Sequence, residues 1–406
     1  MALSNTRQSY GSLSKTLHWA TALSILALIP LGIIANGLPF DTSEQLARKA
    51  FLFSIHKTLG VTVFFLALVR IGWMIAQPKP APLHPDRGLE TFAAELVHWA
   101  LYGALVLVPL SGWIHHAATT GFAPIWWPFG QNLPLVPKSE GIAHLFAGLH
   151  IVFERVLVIA LALHIAGALK HKFIDKDGTL ARMLPRGGSV PPAPKRAEST
   201  VQHMLPPLGA AAAFVLAITV GNALGLYHGK GTAAVAQTEL AEVASDWQVE
   251  SGSLDITVSQ LGAPVTGQFE QWTAEITYDP DTQTGATTVT IAIPSLTLGS
   301  VTGQALDTEF FDATTHPTAV FTAQIAPASE GSEAPLVATG TLTLKGAEMP
   351  LVLPFDLTLT DGLAEMTGSA TVQRLDFGIG PSYPDEASVG FSVEITVALT
   401  ARQQES

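Results

Sequence analysis

The sequence contains no cysteine among its 406 residues. This absence excludes disulfides, iron–sulfur ligation, thiol catalysis and the covalent attachment of a c-type haem. Charged side chains are also scarce, at 13% of the residues, whereas 48% of the residues are hydrophobic. Such a composition argues against a single soluble globular protein.

The charge that is present is divided unevenly along the chain. Residues 1–228 contain 17 basic and 10 acidic side chains, whereas residues 229–406 contain 4 basic and 23 acidic ones. This asymmetry indicates a basic membrane part followed by an acidic soluble part, and it argues against nucleic acid as a partner.

Five apolar stretches are long enough to cross a bilayer. They cover residues 17–36, 52–76, 96–117, 148–170 and 205–227. Basic side chains cluster before the first stretch, after the second and most densely after the fourth, so these segments should be cytoplasmic. The loop 118–147 has few charges and carries Trp126-Trp127-Pro128-Phe129, which is typical of an anchor at the opposite interface. We therefore expect a four-helix bundle with a cytoplasmic N-terminus, and a fifth helix that exports everything after residue 228.

The pattern changes after residue 240 to short runs of alternating polar and apolar residues, for example 287–293 and 390–397. These runs are punctuated by Gly, Pro and Asp, and they predict an antiparallel β domain of about 165 residues. Such a domain can close as a barrel around an apolar ligand. The predicted fold is therefore multidomain: an all-α transmembrane four-helix bundle with a fifth transmembrane helix, followed by an all-β barrel.

Four histidines lie inside the apolar stretches: His18, His56, His150 and His164. Fourteen residues separate His150 from His164 on one helix. That spacing turns the helix by about 1400°, close to four full turns, so both imidazoles face the same side about 21 Å apart. On the predicted topology His18 and His164 lie near the cytoplasmic surface, and His56 and His150 near the periplasmic surface. Two imidazoles at each depth suit two six-coordinate haem irons that carry electrons rather than oxygen.

The residues alone leave alternatives open. Polar contacts inside a helix bundle would explain one membrane histidine, but four of them at two matched depths favour a function, because ionisable groups in spans are costly. His98 competes with His18 as a ligand, since it also enters a helix from the cytoplasmic side and precedes a tryptophan.

Cations inside the predicted spans also need partners. Arg70 is a candidate to pair with a haem propionate, with snorkelling to the cytoplasmic surface as the alternative. Arg155 is a candidate to pair with a periplasmic propionate or with Glu154. Lys57, beside His56, is a candidate to contact a quinone or a propionate, and Trp126 and Trp127 lie on the same side of the membrane.

The membrane half resembles the bacterial cytochrome b561 family over most of residues 10–187. The resemblance is carried by Leu17-His18-Trp19, Ser54-Ile55-His56-Lys57-Thr58-Leu59-Gly60, Leu68-Val69-Arg70, Gly148-Leu149-His150, Leu163-His164, Ala168-Leu169-Lys170-His171 and the tail 176–186. It implies two haem b groups, one bound by His18 and His164 and one by His56 and His150, and so favours His18 over His98. It also implies electron exchange with ubiquinone or another isoprenoid quinone and, in some members, oxidation of superoxide at the periplasmic face.

Residues 243–401 resemble the YceI-like, lipocalin-type family of periplasmic proteins that bind polyisoprenoids. The resemblance is carried by Trp247, Val265-Thr266-Gly267-Gln268-Phe269, Phe310-Phe311-Asp312, His316-Pro317-Thr318-Ala319-Val320-Phe321, Gly340-Thr341-Leu342-Thr343-Leu344-Lys345-Gly346, Pro350 and Arg374-Leu375-Asp376-Phe377-Gly378-Ile379-Gly380. Seven aromatic residues are candidates to line an apolar cavity or to fill the core: Phe269, Trp272, Phe310, Phe311, Phe321, Phe355 and Phe391. His316 precedes a proline in a predicted turn, and no hydrolytic or transfer site is expected in this domain.

Together these features predict a multi-pass protein of the bacterial inner membrane with a periplasmic C-terminal domain. The expected function is that of a dihaem b cytochrome that moves electrons between a periplasmic donor such as superoxide and membrane quinone, while the barrel holds an isoprenoid lipid or quinone. One alternative is a membrane-anchored isoprenoid carrier without reducible haem. Another is an electron-transfer subunit for a second redox enzyme such as a hydrogenase.

The predicted domain boundaries follow the same features. They are 1–187 for the dihaem bundle, 188–204 for a cytoplasmic linker, 205–228 for the fifth helix, 229–242 for a periplasmic linker and 243–406 for the barrel. In the second linker, Ala234-Val235-Ala236 resembles a signal-peptidase site, although an alanine-rich linker is the preferred interpretation.

Overall fold

The computed structural model describes residues 2–6, 8–84, 86–119, 122–185, 200–227, 240–241, 243–329 and 334–404. Most of the two predicted linkers and the motif Ala234-Val235-Ala236 lie outside the described residues. The chain divides into two compact units, one built from long helices and one built around a β-sheet.

Five long helices make up most of the first unit. They are α1 Ser12–Gly37, α2 Ser43–Ala76, α3 Gly88–Ala118, α4 Glu140–Lys170 and α5 Thr200–Ala223. The first unit takes α2 from Phe51 onwards. All five are long and apolar enough to cross a membrane. The chain is therefore an integral membrane protein, as its hydropathy predicts.

Three of these helices begin well before the apolar stretches that predict them. Helix α2 begins at Ser43, helix α3 at Gly88 and helix α4 at Glu140. The first turn of each contains a glutamate, so a hydropathy window does not include it. In α4 the start is fixed by Ser139, whose hydroxyl accepts a hydrogen bond from the backbone N–H of Ile142 and thereby caps the helix.

Helix α5 packs against α3 and α4. The ring of Phe214 on α5 lies edge-on to Phe153 on α4, with ring centroids 5.8 Å apart. It also lies over Gly103 on α3, where a side-chain Cβ would come within 2.7 Å of the ring. A cluster of Ala100, Ala160 and Ala210 brings the three backbones close together, and small residues at such contacts are typical of packed membrane helices.

The second unit contains one antiparallel sheet of ten strands. Its strands are β1 Trp247–Gln260, β2 Ala263–Phe269, β3 Trp272–Asp279, β4 Thr284–Ala292, β5 Leu296–Thr297, β6 Thr318–Pro327, β7 Leu336–Leu344, β8 Ala347–Thr360, β9 Leu363–Gln373 and β10 Val389–Gln403. Their order in the sheet is β3-β4-β6-β7-β8-β9-β10-β1-β2-β5. The first and last strands of the unit, β1 and β10, are thus neighbours.

Three of the hairpins have two-residue turns with positive φ at both positions. They are Leu261-Gly262, Lys345-Gly346 and Asp361-Gly362. This conformation matches the twist of antiparallel strands, and glycine adopts it without strain.

Side chains close the curled sheet where β3 approaches the start of β1. The Trp247 indole N–H donates to the carbonyl of Tyr278 at 3.0 Å. The Ser245 hydroxyl bonds both the N–H and the carbonyl of Ile276. Inward-facing residues of the strands then form one apolar core. These features confirm the predicted fold class of a helical membrane part followed by a lipocalin-like antiparallel barrel.

Candidate functional site

Three histidines from three helices lie together at one end of the helical unit, the His18 end. His18 is on α1, His98 on α3 and His164 on α4. The ring centroids of His18 and His164 are 6.1 Å apart, and those of His98 and His164 are 5.0 Å apart. Two imidazoles on one metal hold their ligating nitrogens about 4 Å apart, which is twice a bond of about 2 Å. Each ring centroid lies farther from the metal than the ligating nitrogen does, so the centroids of two ligating rings are well over 4 Å apart. The 6.1 Å between His18 and His164 therefore suits binding to one metal better than the 5.0 Å between His98 and His164.

The hydrogen bonds of the two rival histidines differ. A ligating imidazole usually donates its second ring N–H to a carbonyl or carboxylate. The Nδ1 of His98 lies 2.5 Å from the carbonyl of Ala94, which fits that pattern. The Nδ1 of His18 instead lies 3.0 Å from Nη2 of Arg70, and because a guanidinium only donates, this nitrogen accepts. Distance therefore favours His18, whereas hydrogen bonding favours His98.

Two guanidinium groups converge near the phenol of Tyr10 at the His18 end. Arg70 lies with its guanidinium carbon 5.6 Å from the ring centroid of Tyr102. Arg182 is only 7% exposed, and its Nη1 donates to the carbonyl of Ala81 at 2.7 Å. Burial raises the pKa of Tyr10, and the positive charges of Arg182 and Arg70 offset part of that rise. Burial lowers the pKa of Arg182.

Arg182 has unused hydrogen-bonding capacity in this buried position. Its Nε and Nη2 are buried and have no hydrogen-bond partner among the described residues. Buried cationic donors without acceptors are costly, so an anion such as a carboxylate would stabilise them. From the sequence, Arg182 is only one of the basic residues that indicate a cytoplasmic segment. Its burial cannot be predicted there, because it depends on how the tail folds back.

The tail after α4 covers the His18 end. After α4 the chain makes a π-helical turn, His171–Asp175, and a short 3₁₀ turn, Leu180–Arg182. The side chain of Lys15 then donates to the carbonyl of Leu184 at 3.0 Å, and the Trp19 indole N–H donates to the carbonyl of Met183 at 2.9 Å. These bonds hold the tail against the start of α1.

Asp177 fixes the tail through two histidines. Its Oδ2 lies 3.0 Å from Nε2 of His84 and 2.8 Å from Nδ1 of His171, whose rings are parallel within 4°. Burial by itself would raise the pKa of Asp177, but hydrogen bonds from Thr179, His171 and His84 outweigh it and lower the pKa. The ionised carboxylate is therefore the form that holds the tail.

We expect the variant Asp177→Ala to loosen the tail. Losing charge-assisted hydrogen bonds should increase the open population at least about tenfold. The measurement is limited trypsin digestion at the buried Arg182 in the full chain, followed by mass spectrometry. Wild-type protein should show the same loosening as the pH falls below about 4, because a carboxyl with a lowered pKa stabilises the fold only while ionised. Trypsin is inactive at that pH, so this arm is measured by hydrogen exchange of the segment 176–185. The matched variant Asp86→Ala, at an exposed aspartate, should digest like wild type, and equal digestion of all three proteins would contradict the assignment.

Neighbouring acidic groups are already neutralised. Ligand atoms of Glu90, His171 and Asp175 lie within 4.8 Å of one another. Lys170 pairs with both carboxylates, at 2.9 Å to Glu90 and 2.8 Å to Asp175, and Arg87 lies 3.0 Å from Asp175. This group is an ion-pair network that ties α3 to the end of α4.

At the opposite end of the bundle, the His56 end, the other two predicted ligands approach each other. His56 on α2 and His150 on α4 are close enough to interact electrostatically. The Nδ1 of His150 lies 2.8 Å from the carbonyl of Val108, which leaves Nε2 for a metal. The Nδ1 of His56 is buried and has no hydrogen-bond partner among the described residues.

A glycine faces each of these two imidazoles. A Cβ on Gly32 would come within 2.9 Å of the His56 ring, and a Cβ on Gly112 within 2.9 Å of the His150 ring. The missing Cβ atoms allow the two rings to pack closely against α1 and α3. The unpartnered Nδ1 of His56 needs an acceptor or a metal. The residues at both ends of the bundle therefore fit haem b.

The remaining candidates are also placed by the helical unit. Lys57 is 6% exposed and lies near His115 and His116. The aromatic loop folds onto α2, because the backbone N–H of Trp126 donates to the hydroxyl of Thr58 at 2.9 Å. Arg155 pairs with the adjacent Glu154 at 2.9 Å, which is one of the two partners that the sequence suggests.

A second candidate site is the interior of the barrel. It holds two adjoining apolar cavities of about 140 and 130 Å³, measured as the space open to the centre of a water molecule. One water needs only about 10–15 Å³ on that measure. The cavities share the wall residues Leu254, Ile291, Leu342 and Ile395, so they form one interior.

Six of the seven aromatic residues that the sequence suggests line these cavities. Trp272, Phe321 and Phe355 line the first cavity, and Phe269, Phe310 and Phe311 line the second. Phe391 lines neither cavity, since its ring lies under the guanidinium of Arg374, 5.5 Å from the centroid. Phe391 packs against this guanidinium instead.

The fold and the histidine groups together define the class: an integral membrane protein with a helical bundle that fits haem b and a ligand-sized β-barrel. Residues 9–186 match the family model for prokaryotic cytochrome b561, and residues 245–401 match the model for the YceI-like domain. The chain belongs to the prokaryotic cytochrome b561 family and continues into a YceI-like domain.

Relatives and a solved structure are similar to the two halves of the chain. Cytochrome b561 homolog 2 of Escherichia coli is 31% identical over 191 residues, which are 47% of this chain and 98% of that protein. The probable superoxide oxidase CybB of Yersinia pestis is 22% identical over 180 residues, 44% of this chain and 97% of that protein. The crystal structure of Burkholderia cenocepacia BcnA is 26% identical and covers 37% of this chain and 95% of its own, with a TM-score of 0.34.

Proposed function

We propose that this chain is a dihaem membrane cytochrome that passes electrons between a donor on the periplasmic side and membrane quinone. The observation that carries the proposal is the pair His150 and His164 on α4, each of which lies beside a histidine of another helix, at opposite ends of the bundle. Two such sites on one helix suit electron transfer across the membrane.

His56 and His150 would hold one haem, and His164 with His18 would hold the other. His98 is the alternative partner of His164. When bound, haem b takes up and releases one electron at a time, and two imidazole ligands leave the iron no open position. Gly32 and Gly112 leave room for the imidazoles of His56 and His150 beside α1 and α3.

The cations near the proposed sites would neutralise haem carboxylates. At the His18 end Arg182 offers two buried, unused donors, and Arg70 adds a second guanidinium. Guanidinium groups recognise carboxylates with two parallel hydrogen bonds. At the His56 end Lys57 is the candidate for a propionate or a quinone oxygen.

The distribution of charge supports the orientation. The basic residues of the tail, including Lys170, Lys172 and Lys176, lie at the His18 end, and basic segments remain on the cytoplasmic side. The aromatic loop with Trp126 and Trp127 lies at the His56 end. The His56 end therefore faces the periplasm, and the barrel follows α5 on that side.

Superoxide is the donor that we favour, because one relative is a probable superoxide oxidase. Two superoxide ions lose one electron each and become two molecules of oxygen. One quinone takes up these two electrons and two protons and becomes a quinol. The one-electron chemistry of haem b matches a one-electron donor to this two-electron acceptor.

The barrel would bind an isoprenoid lipid or the isoprenoid tail of a quinone. Support comes from the continuous apolar interior, in which the walls of the first cavity are almost entirely hydrophobic. Burying such a chain removes a large apolar surface from water, which is the main source of affinity for a flexible hydrocarbon.

The test of the proposed function uses the purified full chain. We expect a pyridine-haemochrome assay to give two b haems per polypeptide, reduced anaerobically by superoxide and reoxidised by added quinone. Two haems that superoxide fails to reduce would remove superoxide as the donor. A chain without haem would be a membrane-tethered lipid binder, contrary to the proposal.

A further inference from the structure

Gln260 is a buried polar residue in the wall of an otherwise apolar cavity. It is the last residue of β1 and follows Leu254, Ile256 and Val258 on the inward face of that strand. It is 8% exposed. Its Oε1 is buried and accepts no hydrogen bond from the described residues.

The other polar groups at this end of the cavity are already engaged. The guanidinium of Arg374 has five N–H groups, and it makes five hydrogen bonds to backbone carbonyls, those of Gly390, Ile379, Gly380, Tyr383 and Val389. Gln304 uses its amide nitrogen to donate to the Tyr383 hydroxyl at 3.1 Å. Neither side chain donates to Gln260.

The position of Gln260 suits a ligand with one polar head and a long apolar tail. Trp247, which lines the first cavity, and Gln260, which lines the second, are the two ends of β1. This strand of 14 residues spans roughly 40 Å at about 3.3 Å per residue. A tail would run along the hydrophobic interior towards Trp247, and the head would lie at Gln260.

We infer that the barrel binds an isoprenoid whose head donates a hydrogen bond through a hydroxyl group, such as a quinol or a polyprenol, in preference to a quinone. This inference rests on the isoprenoid binding proposed above. An unpaired carbonyl oxygen needs a donor, and a hydroxyl supplies one. The carbonyl oxygens of a quinone only accept. With the Gln260 amide oriented as in this structure, they would face Oε1 without a proton between them.

With this preference, the barrel would bind the product of the proposed membrane reaction rather than its substrate. The reduced quinol carries two phenolic hydroxyls, whereas the oxidised substrate carries none. The barrel would therefore take up the product of quinone reduction and leave the quinone in the membrane. A polyprenol would satisfy the same acceptor, so the two head groups share one chemistry.

The test compares two ligands that differ only in whether the hydroxyl hydrogen is present or replaced by a methyl group. Tritium-labelled geranylgeraniol and its methyl ether are redox-inert and have the same tail, and their binding to the detergent-purified full chain is measured by filter retention. Wild type should bind the alcohol about tenfold more tightly than the ether. Gln260→Met removes the acceptor at similar volume and should bring the two affinities together. Gln248→Met, the same change at an exposed position of the same strand, should keep the tenfold preference.

The outcomes separate the inference from the proposed function beneath it. Equal wild-type affinity for alcohol and ether, or tighter binding of the ether, would overturn the hydroxyl assignment while isoprenoid binding stands. Binding of neither ligand would overturn isoprenoid binding by the barrel. A short-tailed quinol and quinone, held at reducing and oxidising potentials, identify the head group. If the wild type prefers the quinol and Gln260→Met abolishes that preference, the ligand is a quinol. If the wild type prefers the alcohol over its ether but shows no preference for the quinol, the ligand is a polyprenol.

Discussion

The variant His164→Ala should lower the haem content from two b haems per chain to one, and His150→Ala should remove the other haem. Helix α4 would supply one ligand to each site, and a b-type iron that loses one of two imidazoles is bound weakly or takes a different ligand. The measurement is the pyridine-haemochrome content together with a redox titration of the reduced-minus-oxidised spectrum. Each variant should lose a different component of that titration.

The exposed His144 provides a control on the same helix. His144→Ala should keep both haems, since its side chain is exposed. A variant of His150 or His164 that retains two haems with unchanged spectra would contradict the ligand assignment. Loss of both haems from either single variant, with the protein still folded, would contradict two separate sites.

The same spectra decide between His18 and His98. The centroid distance of 6.1 Å to His164 favours His18, and the bond of His98 to the Ala94 carbonyl favours His98. We expect His18→Ala to remove the haem at the His18 end and His98→Ala to keep it with a shifted midpoint potential. The reverse result would make His98 the ligand. His18 would then be only a hydrogen-bond partner of Arg70.

The sequence is most informative where a single helix sets the geometry. The spacing of His150 and His164 predicts their common face because helical periodicity alone determines it. The choice between His18 and His98 depends on how α1 and α3 pack against α4, and no local pattern contains that information. The predicted spans are shorter than the helices for a related reason, since polar first turns such as that after Ser43 carry no hydropathy signal.

Long-range burial accounts for the residues that sequence reasoning overlooks. Arg182 and Asp177 lie in a tail that looks polar and exposed, and their burial arises only when the tail folds back onto α1 and the α2–α3 loop. In the barrel, alternation along β1 predicts that Gln260 faces inward. That its oxygen lacks a donor depends on every strand across the cavity, so the tertiary structure is needed to find it.

The barrel itself is predicted with less ambiguity because its turns and alternation are local. Glycine after Leu261, Lys345 and Asp361 marks three two-residue hairpins. The role of Phe391 is different, because whether an aromatic ring faces the cavity or a buried cation depends on its neighbours. The buried cation in question, Arg374, is also the residue whose loss should damage the barrel most.

The variant Arg374→Met should destabilise the barrel by at least about 3 kcal/mol, because it leaves buried carbonyl oxygens without donors. Arg374 is 2% exposed and ties β10 to the loop between β9 and β10 through five backbone carbonyls. Methionine fills much of the volume but donates nothing. Lysine has three donors on one nitrogen, so Arg374→Lys should recover only part of the loss.

Hydrogen exchange of the full chain, followed by mass spectrometry, measures this effect. In Arg374→Met the segment 378–392 should exchange much faster than in wild type, while α1–α4 keep their wild-type protection. Arg402 gives the matched control, since it pairs with Glu250 at an exposed position and surface pairs contribute only about 0–1 kcal/mol. Unchanged exchange in Arg374→Met would mean that the segment is held by its own backbone and by Tyr383, and that the guanidinium is not the group that organises this end of the barrel.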